Sequence, residues 1–311
     1  MRLCIAIWDS KGQRPLEEVR MNDKLKVIAS MAVWGTMAIF VRNIPISSAM
    51  VALSRAAIAF VCILAWQLVN KKTIRLKGMG KDLPLLFVSG AVMGFNWIFL
   101  FEAYKYTTVS VATLSYYFAP VIVMLACPVL FREKLTVKQV VCFIASTVGL
   151  VLVINVSGLS GGSNHLMGVC FGLIAAVMYA CVMLLNKKIQ KVSGIDRTLL
   201  QFGAAIIVLL PYIMVTEGVS FSGMDALGWG CLLCVGFVHS CIAYCMYFSA
   251  LRNISGQEAA ILSYIDPLVA VVISFTVLHE TVTPLQLVGG LMILAFTLLN
   301  ELKFDPFAKR K

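Results

Sequence analysis

The sequence predicts an all-α membrane protein, with about ten transmembrane helices in two inverted five-helix repeats. Three observations carry that prediction. The 311 residues are 60% hydrophobic and only 13% charged, with a mean hydropathy of +0.91, a balance unsuited to a water-facing surface. The apolar residues fall into about ten stretches near the roughly 20 residues that a helix needs to cross a hydrocarbon core of about 30 Å. Finally, Ala112, Tyr117, Pro120, Glu133, Thr136 and Gln139 recur as Ala259, Tyr264, Pro267, Glu280, Thr283 and Gln286, every pair 147 residues apart (267 − 120 = 147). Helices are required rather than barrel strands, because a lipid-facing segment must satisfy its own backbone hydrogen bonds and these stretches lack two-residue alternation.

In chain order, residues 1–23 read as a mixed, charged tail containing Trp8 and Pro15. No apolar run there leads to a small-residue cleavage site, so a secretory signal is not expected. The first span, 25–42, carries Trp34-Gly35, and the second, 46–69, holds Arg55 well inside it. The third, 83–103, contains Asn96, Trp97 and Glu102, with Gly90 and Gly94 four apart. That spacing lets helices approach closely, either within a bundle or across a homodimer. The fourth, 108–131, has Tyr116-Tyr117 followed by Pro120; the fifth is 136–155. The sixth, 165–186, opens the second copy with Tyr179, and the seventh is 196–216. The eighth, 226–250, carries His239 and four cysteines, Cys231, Cys234, Cys241 and Cys245. Those fall on one helical face and read as packing, since a zinc site would want His or a second converging pair. The ninth, 255–277, holds Tyr264, Asp266 and Pro267; the tenth, 284–302, has Gly289-Gly290, and 303–311 is a basic tail. The repeats thus occupy 24–155 and 165–302, leaving no room for a separate soluble domain.

Of the 26 Lys and Arg, all but Arg42, Lys105 and Arg55 fall in segments that lie inside if the N-terminus is cytoplasmic. The positive-inside rule therefore places both termini in the cytoplasm of a multi-pass, plasma-membrane protein. The net charge of +11 is topological and is no sign of a nucleic-acid partner, because the basic residues are dispersed. Five spans per copy is an odd number, so the second copy enters the bilayer upside down. Inverted repeats of this kind hold a substrate between the halves and expose it alternately to the two sides. No His-Glu-x-x-His, phosphate-cradling Gly loop or Gly-x-Ser-x-Gly elbow is found, so neither an enzyme nor a primary pump is indicated, and no cofactor or metal is expected.

Ionisable groups inside a bilayer are costly and are functional candidates by default. Asp266 precedes Pro267, whose ring disfavours helix at the residue before it, so a helix break is expected there, and likewise at Pro120. Asp266 is read either as binding a substrate amine or the coupling proton, or as paired with a hydroxyl such as that of Tyr264. Ala119 holds the matching position in the first copy, so the fold does not need the acid. His239 is read as a proton-coupling group or as an ordinary hydrogen-bonding residue. Arg55 either pairs with Glu102 or receives a carboxylate or phosphate. Trp34, Asn96 and Tyr117 lie deep enough to line a ligand pocket.

The ten spans, Trp34-Gly35, and the repeated pattern of a mid-helix Pro followed by Glu-x-x-Thr (Glu133 to Thr136, Glu280 to Thr283) resemble the EamA-type carriers of the drug/metabolite transporter superfamily, over about residues 24 to 302. The resemblance implies a secondary transporter that exports a small metabolite such as an amino acid, by alternating access and with proton coupling. A nucleotide-sugar or sugar-phosphate carrier, or a non-transporting membrane receptor or scaffold, stands as the alternative. Glu102, Tyr104, Tyr116-Tyr117 and Asp266 depart from the usual pattern.

Overall fold

The computed structural model describes residues 16–70, 80, 82–131, 136–154, 163–189, 192, 194–250, 262–263, 265–280 and 282–301. Every regular element among them is helical. Six helices are long and apolar enough to cross a membrane, and four shorter apolar helices accompany them. The first span is α1 (Leu16–Gly35) and α2 (Met37–Arg42), separated at Thr36. The second is α3 (Ser48–Val69) and the third α4 (Asp82–Tyr106). The fourth is broken into α5 (Val109–Tyr116) and α6 (Ala119–Phe131), with α7 (Val137–Ile154) as the fifth. The second half comprises α8 (Ser163–Lys188), α9 (Gly194–Thr216), and an eighth span of α10 (Ala226–Cys234), a π-helical stretch (Val235–Ile242) and α11 (Ala243–Ala250). It closes with α12 (Ile265–Thr276) and α13 (Pro284–Glu301). Glu133, Tyr264 and both terminal tails lie outside the described residues, apart from the start of α1.

Polar residues fix the helix ends. Ser47, Thr108 and Asp225 accept from the backbone amides of Met50, Val111 and Gly228, satisfying donors that a helix leaves orphaned. In the second copy of the repeated Thr–x–x–Gln, Thr283 and Gln286 have the same job. Thr283 Oγ1 accepts from Gln286 N (3.2 Å) while Gln286 Oε1 accepts from Thr283 N (3.0 Å), a capping box opening α13. At the end of α9, Gly218 takes a φ of +74°, and its amide reaches the Ile213 carbonyl at 2.7 Å, a left-handed cap that favours glycine.

Among the described residues, the most extensive helix packings are preserved when each span is exchanged for the one five places away. The third span (α4) lies along the sixth (α8) and seventh (α9), and its mate, the eighth, lies along the first (α1) and second (α3). The fourth packs on the sixth and the ninth on the first, while the pairs α3 with α9, α5 with α12, and α7 with α13 map onto themselves. The sense of the second copy is fixed by polar contacts. Arg42, ending the first span, donates to the carbonyls of Tyr104 and Thr107 at the end of the third. Thr107 Oγ1 bonds His165 Nδ1 at the start of the sixth (2.8 Å). The sixth span thus begins where the first ends, so the repeats are inverted. At the opposite face, Gln67 closing α3 donates to Asp196 opening α9 (2.9 Å).

Small residues face inward where the predicted close approaches occur. A methyl at Gly94 would stand 3.0 Å from Leu209, and Gly90 abuts Gln201 and Ala204, both on α9. The Gly90/Gly94 face is therefore spent inside the bundle rather than offered to a second copy.

Candidate functional site

The break in the fourth span and the start of α12 meet between the two halves. Tyr117 caps the end of α5, and α6 begins two residues later with Ala119 and Pro120. Across from it, α12 begins at Ile265, so Asp266 and Pro267 form its first turn, where a proline costs no helical hydrogen bond. The Tyr117 hydroxyl lies 2.7 Å from Asp266 Oδ2 and 3.2 Å from the Ser263 carbonyl. This arrangement serves both protonation states of the acid. A carboxylate accepts from the tyrosine; a carboxylic acid donates to it, and the tyrosine hydroxyl then donates its hydrogen bond to the Ser263 carbonyl. Among the described residues the partner of Asp266 is thus the tyrosine of the other repeat. Both groups lie about 12–15 Å along their helices from the Arg42 face, at 1.5 Å per residue, near mid-bilayer depth.

The first span brings its Trp-Gly pair to the same place. A methyl at Gly35 would stand 2.7 Å from the Asp266 carbonyl oxygen and from Val269 Cβ, so only glycine lets α1 cross α12 there. Trp34 stacks edge-on against Tyr244 (4.8 Å between centroids) and lies 5.3 Å from Tyr247. Its Nε1 donates to the His239 carbonyl (2.7 Å). The His239 ring is buried, with Nε2 3.0 Å from Thr36 Oγ1, Nδ1 3.3 Å from the Cys234 carbonyl, and Phe40 stacked at 5.0 Å. His239 therefore ties the break in the first span to the π-helical stretch of the eighth, a local irregularity of the kind that recurs at functional sites.

Arg55 is 1% exposed. It lies about 11 Å along α3 from the start of that helix, at 1.5 Å per residue. The expected Arg55–Glu102 pair does not form. Glu102 turns to Lys105 one helical turn on (2.9 Å) at a half-exposed position, because the two share one face of α4. Arg55 Nε donates instead to Ser240 Oγ (2.9 Å), Nη1 meets Met37 Sδ at 3.3 Å, and the guanidinium sits 4.3 Å from the Trp97 ring centroid and 5.5 Å from that of Phe101. Asn96 is spent on structure: its Nδ2 donates to the Ala175 carbonyl (2.6 Å), clamping α4 to α8. Among the described residues no group of three or more His, Cys, Asp or Glu could hold a metal ion.

The family comparison likewise divides the chain into two units. The model of the EamA-like transporter family matches residues 24–155 and again 166–301. The chain belongs to the EamA-like transporter family. It is 29% identical over 87% of its length, and 86% of the relative's, to "Uncharacterized transporter YxxF" of Bacillus subtilis (strain 168). It is 29% identical to "Protein PecM" of Dickeya dadantii (strain 3937), covering 75% of this chain and 80% of that one. With the "Probable amino-acid metabolite efflux pump" of Salmonella typhimurium the identity is 28%, over 71% and 78% of the two chains. A solved structure titled "Crystal structure of protein" shares the fold at a TM-score of 0.60 and 17% identity, covering 90% of this chain and 97% of that one.

Within this EamA-like transporter, sequence reasoning missed Ser240, Thr36 and Met37, which hold Arg55 and His239. It also missed the pairing of Arg42 with Glu280 (2.5 Å). The 147-residue repeat had singled out Glu280, yet nothing in the sequence points it at Arg42.

Proposed function

We propose that this protein is a secondary transporter that exports a small amphiphilic metabolite, such as an amino acid, by alternating access and with proton coupling at Asp266. The observation that carries the reading is the Tyr117–Asp266 hydrogen bond, which joins the two inverted repeats. Rocking one repeat against the other must strain or break this contact, so the protonation state of the acid bears on which way the halves lean. Family membership and the relative named for amino-acid metabolite efflux support export of this class of solute. The distribution of Lys and Arg supports cytoplasmic termini in the plasma membrane, with residues 1–23 and 303–311 as tails outside the two repeats. On this reading the protein catalyses no covalent chemistry.

The test is uptake of labelled amino acids into proteoliposomes, with and without an imposed pH gradient, comparing the intact chain with Asp266→Asn. Gradient-driven uptake is expected of the intact chain and not of the variant, which should retain exchange at equal pH. Equal gradient dependence in both would remove Asp266 from the coupling.

A further inference from the structure

Arg55 has features that neither proton coupling nor packing uses. A guanidinium that is 1% exposed in the centre of a bundle is expensive unless its charge is met. What meets it here is neutral: a serine hydroxyl, a thioether and two aromatic faces. No carboxylate among the described residues lies within salt-bridge distance of it. Trp97 covers the flat face of the guanidinium, which leaves its edge for in-plane hydrogen bonds. Nε is taken by Ser240, Nη1 has only the weak sulfur acceptor of Met37, and Nη2 has no partner among the described residues. The Nη1–Nη2 edge is thus the side of Arg55 that can accept a bidentate ligand.

Its setting is that of the transport site. Ser240 comes from the second repeat, so the guanidinium bridges the two halves. Tyr104, Tyr116 and Tyr244 lie within electrostatic range of both Arg55 and Asp266. Tyr116 stacks on Tyr179 (5.1 Å between centroids) and Tyr244 meets Phe202 edge-on (5.2 Å), so the tyrosines near the two charged groups belong to aromatic clusters.

We infer that Arg55 is the receptor for a carboxylate on the transported solute. The inference rests on the transport reading and narrows it to solutes bearing one carboxylate and an apolar or aromatic body. Charge balance favours a carboxylate over a phosphate ester: a monoanion neutralises the single guanidinium, whereas a dianion would leave one negative charge buried.

The test measures binding to the full chain in detergent by tryptophan fluorescence, since Trp97 lies on the receptor. The probes are matched sets: phenylalanine and leucine, the amides of both, and phenyl phosphate. The intact chain is expected to bind the carboxylates about ten- to a hundredfold more tightly than the amides, the range for losing a charge-assisted hydrogen bond. Arg55→Gln should shrink that preference to within about twofold, and Arg55→Lys should restore part of it. If Arg55→Gln does not fold, Ser240→Ala keeps the charge but unseats it, and should lower the preference several-fold while the chain still unfolds cooperatively, at a somewhat lower melting temperature. No carboxylate preference in the intact chain, no binding of either amino acid, a full preference surviving in Arg55→Gln or Ser240→Ala, or tighter binding of phenyl phosphate would each overturn the inference. Its failure is distinguishable from failure of the transport reading: gradient-driven uptake without carboxylate preference removes the receptor alone, and carboxylate-selective binding without uptake removes transport alone.

Discussion

At the scale of single residues, the polar side chains of the bundle divide by what they touch. Asp266 and Arg55 were legible in the sequence because a charge inside an apolar span is rare, and the reason for the rarity is the cost of burying it. Asn96 was equally conspicuous but misleading, since an amide in a span can line a pocket or bond a carbonyl, and hydropathy does not separate the two. Its bond to Ala175 predicts that Asn96→Leu lowers stability by about 1–2 kcal/mol, from a lost buried hydrogen bond, while leaving the KM for transport unchanged. Thermal unfolding and uptake on one preparation check both halves of that statement. Tyr117→Phe should do the reverse. It removes the hydroxyl that bridges Asp266 and Ser263, keeps the ring edge-on to Tyr116 at 5.9 Å, and is expected to cut gradient-driven uptake by about tenfold with a small change in melting temperature. Loss of folding without loss of specific activity would count against a coupling role.

At the scale of elements, the ten spans were legible from apolar length alone, and the inversion from their odd number per repeat. The break in the fourth span was legible because Pro120 marks it, and breaks stayed hidden where no proline does. Thr36 interrupts the first span and Val235–Ile242 is π-helical, neither with a residue that forces it; both irregularities are held by tertiary contacts through His239 and Ser240. The repeated Thr–x–x–Gln was visible as a repeat, and its role as a capping box follows from spacing. Gly35 is where an element depends on one missing atom. Gly35→Ala places a methyl 2.7 Å from the Asp266 carbonyl, and overpacking of this kind costs about 1–3 kcal/mol. The α1–α12 crossing should open at the acid, so the variant is expected to lose both melting temperature and uptake. A variant at Gly230, where an added methyl meets nothing within 4 Å, should lose neither.

At the scale of the whole molecule, the proposed alternating access would require contacts that close one face while the other opens, and the Arg42 face carries a set suited to that. Glu280 accepts from Arg42 (2.5 Å), from the Val109 amide (2.9 Å) and from the Ser274 hydroxyl. One carboxylate at the end of the ninth span thus gathers the ends of the first and the start of the fourth, across both repeats. Arg42 is bonded on its other side to the carbonyls of Tyr104 and Thr107, so its charge answers two carbonyl dipoles besides the acid. This asymmetry makes a specific prediction. Glu280→Gln weakens the closed face, and a cysteine placed at Phe40, just beneath Arg42, should react several-fold faster with an impermeant maleimide than in the parent. The charge swap Arg42→Glu with Glu280→Arg should not restore slow labelling, because a glutamate at 42 would face two carbonyl oxygens. A swap that did restore it would reduce the latch to a simple ion pair, of the kind worth little at a partly exposed site, and closure of this face would then have to come from the helix packing itself.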